Sequence, residues 1–394
     1  MSLAPHFIAT DTPVSNVRKQ IECFVKTHIL PNEPLLSSSG IESKQLMAQL
    51  SQKAKKEGLR GLYYPLSIGG KIAQLSEYVS IAESEGYSEF GPAIFGSYSA
   101  LDAHMLNTFG SKVVKKEFLE PLVQGKAMPC FGMTEPNKSG SIPALMSSYA
   151  TLENGEWVIN GGKWFISNAH RASFMTVMVR TEKDVSTTKA FSKLIIPTDT
   201  AGFSIQREIS VLGRQQGQCE ISLENVRIPE AFILGERGQG MWLAGQRLHI
   251  GRLLRSAHWL GLANRCVNIM QERILSSRGQ MAKLSEKQLV RQHIFHSHHR
   301  ILSAQLITKK AAISVDQNNA NETLVNLAKF SAAKALSLTA DSAVQILGSD
   351  ALDDKHPLSG IYRTARTTRI LDGTDESLIS AVGKKLIHSQ KASA

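Results

Sequence analysis

The hydrophobic period of this chain changes twice along its length, and that change limits the folds open to it. From about residue 13 to 125 apolar residues recur at helical spacing, as in SKQLMAQLSQKAKKEG, where Leu46, Leu50 and Ala54 fall four apart and Gly58 supplies a stop. Ser111 stands as an N-cap ahead of Val114, Phe118 and Leu122. Between about 150 and 230 the pattern shortens to alternating runs, EWVING, FMTVMVRT and CEISLENVRIP, separated by turn dipeptides such as Asn154-Gly155 and Asn160-Gly161. Such runs predict antiparallel strands. After Gly240 the helical period returns, for example in LVRQHIFHSHHRILSAQLITKKAAISV, and continues almost to the C-terminus. This order predicts a mainly α, α+β chain: an N-terminal α-helical domain over 1–127, a central antiparallel β domain over 128–236 and a C-terminal helical domain over 237–394. No repeat or low-complexity linker interrupts it, and the last six residues are expected to fray.

With 394 residues and 42% hydrophobic content the chain can bury a large core. Charge breaks every apolar stretch well before the roughly 20 residues that cross a bilayer, so no membrane span is expected. The start, MSLAPHFIATDTPV, carries neither a secretory nor an import pattern. Cys23, Cys130, Cys219 and Cys266 lie far apart without C-x-x-C spacing, which fits a reducing compartment and a cytoplasmic protein. The net charge of +11 implies attraction to something anionic: a phosphate-rich cofactor, an acidic protein or nucleic acid. Composition does not choose among these.

Neither a G-x-G-x-x-G between strand and helix nor a G-x-x-x-x-G-K-[ST] is present; GERGQGM at 235–241 has the wrong spacing. Any dinucleotide is held some other way. The segment CFGMTEPNKSGS at 130–141 reads, alone, as a strand running into a polar turn. In context, FGSKVVKKEFLEPLVQGKAMPCFGMTEP resembles the acyl-CoA dehydrogenase segment leading into the flavin-binding T-E-P turn. INGGKWFISNA resembles that family's second flavin strand, and LGRQQGQCEISLENVRIPEAFILGERGQGM its third block. LHIGRLLRSAHWLG, AVQILGS and YRTARTTRILDGTDE resemble its first C-terminal helix and its closing flavin and catalytic blocks. The ordered matches run from about residue 105 to 377. They imply an α-helical domain, a β domain and a C-terminal four-helix bundle, in agreement with the periodicity.

The resemblance implies FAD as cofactor. Met133 and Thr134 would contact the isoalloxazine ring, with Thr134 stabilising negative charge on the reduced flavin. Phe165 falls where the family has a tryptophan against the ring, and Ser167 where it has a threonine. Thr374 would bind the diphosphate, with Glu376 beside it, while Gln345 and Gly348 would meet the FAD of a partner subunit. A homodimer or homotetramer follows from such shared sites. The family serine after T-E-P aligns with Gly140, flanked by Ser139 and Ser141, so Gly140 and Ser141 stand at the expected substrate contact. The partner-subunit R-x-x-F-G motif is replaced by SRGQM, with Arg278 one position off and no aromatic lid, so FAD retention is expected to be weak for the family.

At the chemical centre the family most often has Glu before Gly-Thr, and here Asp372 precedes Gly373 and Thr374. Asp-Gly alone is a common turn pair; within RILDGTDE it takes the place of the catalytic base. Ile370 and Leu371 are expected to desolvate it and raise its basicity. Some members place the base just ahead of the helix arginine, but that position is Gly251, which leaves Asp372 as the candidate. Arg252 is the helix arginine, expected to order the catalytic carboxylate and the substrate mouth. His293, His296, His298 and His299 include an i,i+3 pair, yet nothing nearby completes a zinc set, and no metal is expected.

These assignments imply α,β-dehydrogenation of an acyl thioester on coenzyme A or an acyl carrier protein, with Asp372 removing the α-proton and a β-hydride passing to flavin N5. An electron-transfer flavoprotein would accept the electrons. Two alternatives keep the flavin: a same-fold oxidase or hydroxylase that uses oxygen, since nitroalkane-oxidising relatives also use an aspartate, and a nucleic-acid-binding relative. Only the charge supports the second, for the chain has no Lys/Arg run or arginine-rich tail.

Overall fold

A computed structural model describes residues 13–38 and 40–391. The chain start discussed above lies outside the described residues. By compactness the described chain falls into two units: residues 13–63, 70–98 and 249–391, and residues 64–69 with 99–248.

The first unit is helical. Its Ile41–Lys56 helix ends where the sequence places the stop: the Leu59 N–H reaches the Ala54 carbonyl at 2.8 Å, and Gly58 takes a left-handed φ of 70°. One hydrophobic core of it lies among the helices Gly240–Leu275, Gln288–Asp316, Glu322–Leu347 and Pro357–Thr368. The third of these buries Ala328, Ala332, Ala335, Ala340 and Ala343. Small side chains at this spacing let helix backbones approach closely. Gly86 and Gly261 mark a tight crossing in this unit, because a Cβ on Gly86 would overlap the His258 backbone and one on Gly261 the Glu83 carbonyl. The C-terminal helix, Asp375–Lys391, is helical to its last described residue, and residues 392–394 of the segment expected to fray lie outside the described residues.

The second unit carries the strands: β1 (Pro129–Gly132), β2 (Tyr149–Glu153), β3 (Glu156–Ser167), β4 (Phe174–Arg180), β5 (Phe191–Pro197), β6 (Phe203–Val211), β7 (Arg214–Pro229) and β8 (Ile233–Leu234). They form one sheet in the order β6-β7-β3-β2-β4-β5-β8, with β1 paired parallel to β4. Most pairs are antiparallel, as the alternation predicts, and β7 alternates buried and accessible residues along much of its length. β4 does not: FMTVMV is buried throughout, a strand covered on both faces. Ser111 caps its helix through the Val114 N–H at 3.2 Å.

Of the two turn dipeptides, Asn154-Gly155 is a hairpin turn with φ of 52° and 81°. Asn160-Gly161 is not a turn. It lies inside β3 at a register shift against β7, and a Cβ on Gly161, whose φ is 144°, would run into Ser148. The glycine serves a bulge and a close backbone approach.

Candidate functional site

In the second unit the T-E-P segment leaves β1 and is fixed from below by a buried ion pair. Lys163, on β3 and wholly buried, donates to Glu135 Oε1 at 2.8 Å and to the Met133 carbonyl at 3.1 Å. Glu135 also accepts from the Ser147 N–H at 2.6 Å, the Ser147 hydroxyl and the Ser148 N–H at 3.0 Å. Burial alone would raise the Glu135 carboxyl, but the ammonium and these hydrogen bonds outweigh it and hold it down at about 2. Burial pulls Lys163 down to about 8 against the pull of Glu135.

Above this pair Thr134 is stitched to the next strand. Its hydroxyl donates to the Trp164 carbonyl at 2.6 Å, and its carbonyl accepts from the Trp164 N–H at 3.0 Å. With both backbone groups of Trp164 committed to Thr134, β3 breaks register with β7 between Lys163 and Ile166. Phe165 takes a φ of 53°, rare for an aromatic residue, and its ring is 44% exposed. The bulge turns a large apolar ring outward where regular pairing would not. Ser167 follows, its hydroxyl bonded to Gln218. Gly140 lies against Thr134, where an added Cβ would stand 3.2 Å from Cγ2, and Ser139 and Ser141 face one another at 3.4 Å, both exposed. Met133, Thr134, Ser139 and Gly140 line one cavity, and the exposed Phe165 ring supplies an aromatic face, groups of the kind that fit a planar heterocycle. The Thr134 hydroxyl proton is given to Trp164, so in this arrangement the hydroxyl does not donate to a reduced flavin, as was expected of it, and its oxygen has only acceptor capacity to offer.

In the first unit the segment after the Pro357–Thr368 helix turns sharply before the Asp375–Lys391 helix. Asp372 has φ of 54° and Gly373 of 105°. Both carbonyls of this corner are held by cations: Arg252 Nε donates to the Asp372 carbonyl at 2.9 Å, and Lys329 Nζ to the Gly373 carbonyl at 2.7 Å. Arg252 also donates to Asn326 Oδ1 at 2.7 Å, and burial lowers its pKa. The Asp372 carboxylate is paired elsewhere, with Arg255 Nε at 2.6 Å. Thr374 caps the last helix, accepting from the Ser377 N–H at 3.2 Å, with Asp375 and Glu376 in its first turn.

Two expectations change here. Ile370 and Leu371 do not cover the carboxylate; they are 55% and 36% exposed, and the group that meets it is the Arg255 guanidinium. Arg252 orders the backbone of Asp372, not its carboxylate. Arg255 was not singled out in the sequence, although its place three residues after Arg252 puts the two on one helix face. Lys163 and Lys329 were missed as well. Arg278 is exposed and paired with Asp350 at 2.7 Å, close in sequence to the equally exposed Gln345 and Gly348. Among the described residues no three His, Cys, Asp or Glu side chains stand together as a metal set, and no helix is long and apolar enough to cross a membrane.

Three family profiles match the chain in order: acyl-CoA dehydrogenase N-terminal domain at 14–126, middle domain at 130–226 and C-terminal domain at 238–387. A Mycobacterium tuberculosis protein bearing an acyl-CoA dehydrogenase name, FadE2, is 33% identical over 88% of this chain and 87% of its own length. The chain belongs to the acyl-CoA dehydrogenase family. Acyl-CoA dehydrogenase family member 11 of Rattus norvegicus is 32% identical over 95% of the chain, which spans about half the length of that relative. Among solved structures, butyryl-CoA dehydrogenase from Megasphaera elsdenii has a TM-score of 0.83 at 24% identity, covering 95% of this chain and 98% of its own. A second, titled PigA with FAD and proline, has a TM-score of 0.84 at 21% identity, covering 96% and 98%. At these identities the likeness is one of fold, the fold expected from the order of helices, strands and helices.

Proposed function

We propose that the protein is an FAD-dependent oxidoreductase that converts an acyl thioester to its α,β-unsaturated form, with Asp372 as the general base. The observation that carries this reading is the Asp372 corner. A carboxylate on a left-handed turn, its backbone held by Arg252 and Lys329, is fixed by groups other than those its chemistry uses.

FAD, when bound, supplies the acceptor for the substrate's β-hydride. Met133, Thr134, Phe165 and Ser167 would hold its ring, and Thr374 and Glu376 its diphosphate side. Arg278, Gln345 and Gly348 would reach the cofactor of a second copy in a homodimer or homotetramer. The Arg278–Asp350 pair would have to open for that. Gly140, Ser141 and Gly373 would meet the thioester. The Asp372 carboxylate takes the α-proton; the electron pair left at the α-carbon forms the new double bond as hydride leaves the β-carbon. Arg255 Nε holds one carboxylate oxygen, Oδ2, and the other, Oδ1, would take the proton. The thioester would be carried on coenzyme A or an acyl carrier protein, and an electron-transfer flavoprotein would remove the electrons. A cytoplasmic setting suits the free cysteines Cys23, Cys130, Cys219 and Cys266.

The test is anaerobic mixing of FAD-loaded protein with acyl-CoA and acyl-carrier thioesters, following loss of flavin absorbance. Bleaching by a thioester supports the reading. Bleaching only by nitroalkanes, or reduced flavin reoxidised by oxygen at a catalytic rate, would replace it with an oxidase. Light scattering on the loaded protein checks the oligomer: a stable monomer at full FAD occupancy removes the shared site.

A further inference from the structure

The Glu322–Leu347 helix packs against its neighbours largely through alanine, yet at position 329 it buries a lysine completely. Burying an ammonium is costly unless it is paired or hydrogen-bonded, and an apolar side chain would fill the same space at lower cost. The bond this lysine makes is with one backbone atom, the Gly373 carbonyl, at 2.7 Å. One turn earlier on the same helix, Asn326 accepts from Arg252, whose Nε holds the Asp372 carbonyl. Consecutive carbonyls of a left-handed corner are thus gripped from two helices, and the first of them belongs to the proposed base.

We infer that Lys329 is a positioning residue: its ammonium holds the Gly373 carbonyl and through it the backbone corner that presents the Asp372 carboxylate. This rests on the role proposed for Asp372. An aspartate with positive φ sits in a sparsely populated region and stays there only where its surroundings over-determine it. Lys329 and Arg252 supply that constraint. Asp375 and Asp372 favour the charged lysine, while Arg252 and Arg255 oppose it, and the Trp259 ring lies 5.8 Å from Nζ. Asp375 is itself held by Arg369 at 2.7 Å and faces Lys334 at 3.8 Å. Burial dominates and brings Lys329 down to about 8. Above that pH the amine donates without charge, a weaker grip by the margin that separates neutral from charge-assisted hydrogen bonds.

The test compares Lys329→Met and Lys329→Arg with wild type in the full chain. In FAD-loaded protein, Lys329→Met is expected to lower the rate of flavin bleaching about 10- to 10²-fold with little change in KM, the cost of a misplaced base. Wild type is expected to lose rate above about pH 8, and Lys329→Arg, which stays charged, to carry its plateau further into alkali. In flavin-free protein the Asp375 amide, bonded to the Arg369 carbonyl at 3.1 Å, is expected to exchange its hydrogen faster in Lys329→Met. Wild-type bleaching rates together with unchanged amide exchange in Lys329→Met would overturn the inference. So would an alkaline limb that Lys329→Arg leaves in place, and that comparison decides the matter if Lys329→Met does not fold. If no thioester bleaches even the wild type, the proposed function fails, and the amide exchange still decides whether Lys329 holds the corner.

Discussion

Arg255 and Asp372 meet side chain to side chain at 2.6 Å, with the arginine nitrogen Nε on carboxylate oxygen Oδ2. They lie far apart in sequence, and neither is deeply buried, so the pair is open enough to exchange partners. The pair engages one carboxylate oxygen, Oδ2, and leaves Oδ1 to the proposed proton transfer.

Asp372→Asn removes the basic lone pair and keeps the shape. Bleaching by the substrate is expected to fall 10²- to 10⁴-fold, about 3–5 kcal/mol of transition-state stabilisation, with FAD affinity unchanged. The backbone bonds from Arg252 and Lys329 do not depend on the carboxylate and should survive. Stopped-flow absorbance and a parallel FAD titration check both halves. A variant as fast as wild type would end the role of this residue.

Lys163→Met should destabilise the second unit by about 3–5 kcal/mol, because it leaves Glu135 buried without its cation. The double variant Lys163→Met/Glu135→Gln should recover much of that loss in urea unfolding. Glu135 has its folded pKa depressed to about 2, so its stabilising contribution is present above about pH 4.5 and is lost as pH falls toward 2. In Lys163→Met that acid-sensitive contribution should shrink. If acid unfolding of the single variant matches wild type, the pair is not what holds the T-E-P segment.

The fold was legible because its signal is periodic. Helical spacing around Leu50 and Ala54, the Ser111 cap and the Asn154-Gly155 hairpin are local patterns, and local patterns survive in a one-dimensional string. Asn160-Gly161 looks the same in sequence as a hairpin turn; only the approach of Ser148 makes its glycine a bulge. Resemblance supplied the site residues, and Asp372, Gly373 and Thr374 do share one corner. What it did not supply are the supports, Lys163 beneath Met133 and Glu135, Arg255 on Asp372, Lys329 on Gly373. Those pairs join residues brought together only by folding. The expected apolar cover from Ile370 and Leu371 failed for the same reason, since adjacency in sequence does not say which way a side chain faces on a left-handed turn.

Glu83 offers a prediction in the first unit. Its Oε1 accepts from Asn264 and Gln305, each at 2.6 Å, and burial pushes its carboxyl up to about 7, opposed by these bonds and by Arg18 and aided by Glu22. A carboxyl whose folded pKa is raised contributes stability that is fully present below about pH 4.5 and is lost as pH rises through 7. Glu83→Gln keeps the accepting oxygen and removes the proton equilibrium. Its stability relative to wild type should therefore improve between pH 5 and pH 8, as read from urea midpoints at the two values. Parallel pH dependences for the two proteins would show that Glu83 does not titrate in the fold.

Lys193 gives the opposite slope in the second unit. It lies on β5, completely buried, with Nζ lacking a hydrogen-bond partner among the described residues and 5.0 Å from the centre of the Phe131 ring. Arg247 stands over the same ring at 4.4 Å and reaches Asp102 at 3.2 Å. Burial, then repulsion from Arg247, bring the Lys193 ammonium down to about 7 against the pull of Asp102. Between pH 7 and about 10.5 the unfolded chain therefore binds a proton that the folded chain does not, and this residue's contribution to stability rises with pH across that window. Lys193→Met fills similar space without the charge. At pH 6 it is expected to be more stable than wild type by about 1–4 kcal/mol, the range seen when buried charges give way to apolar side chains. The gain should shrink steadily above pH 7 as wild-type Lys193 sheds its proton. Denaturation midpoints at pH 6, 7.5 and 9 measure it, and a Lys193→Met protein less stable than wild type at pH 6 would mean that the ammonium has a partner worth more than its burial costs.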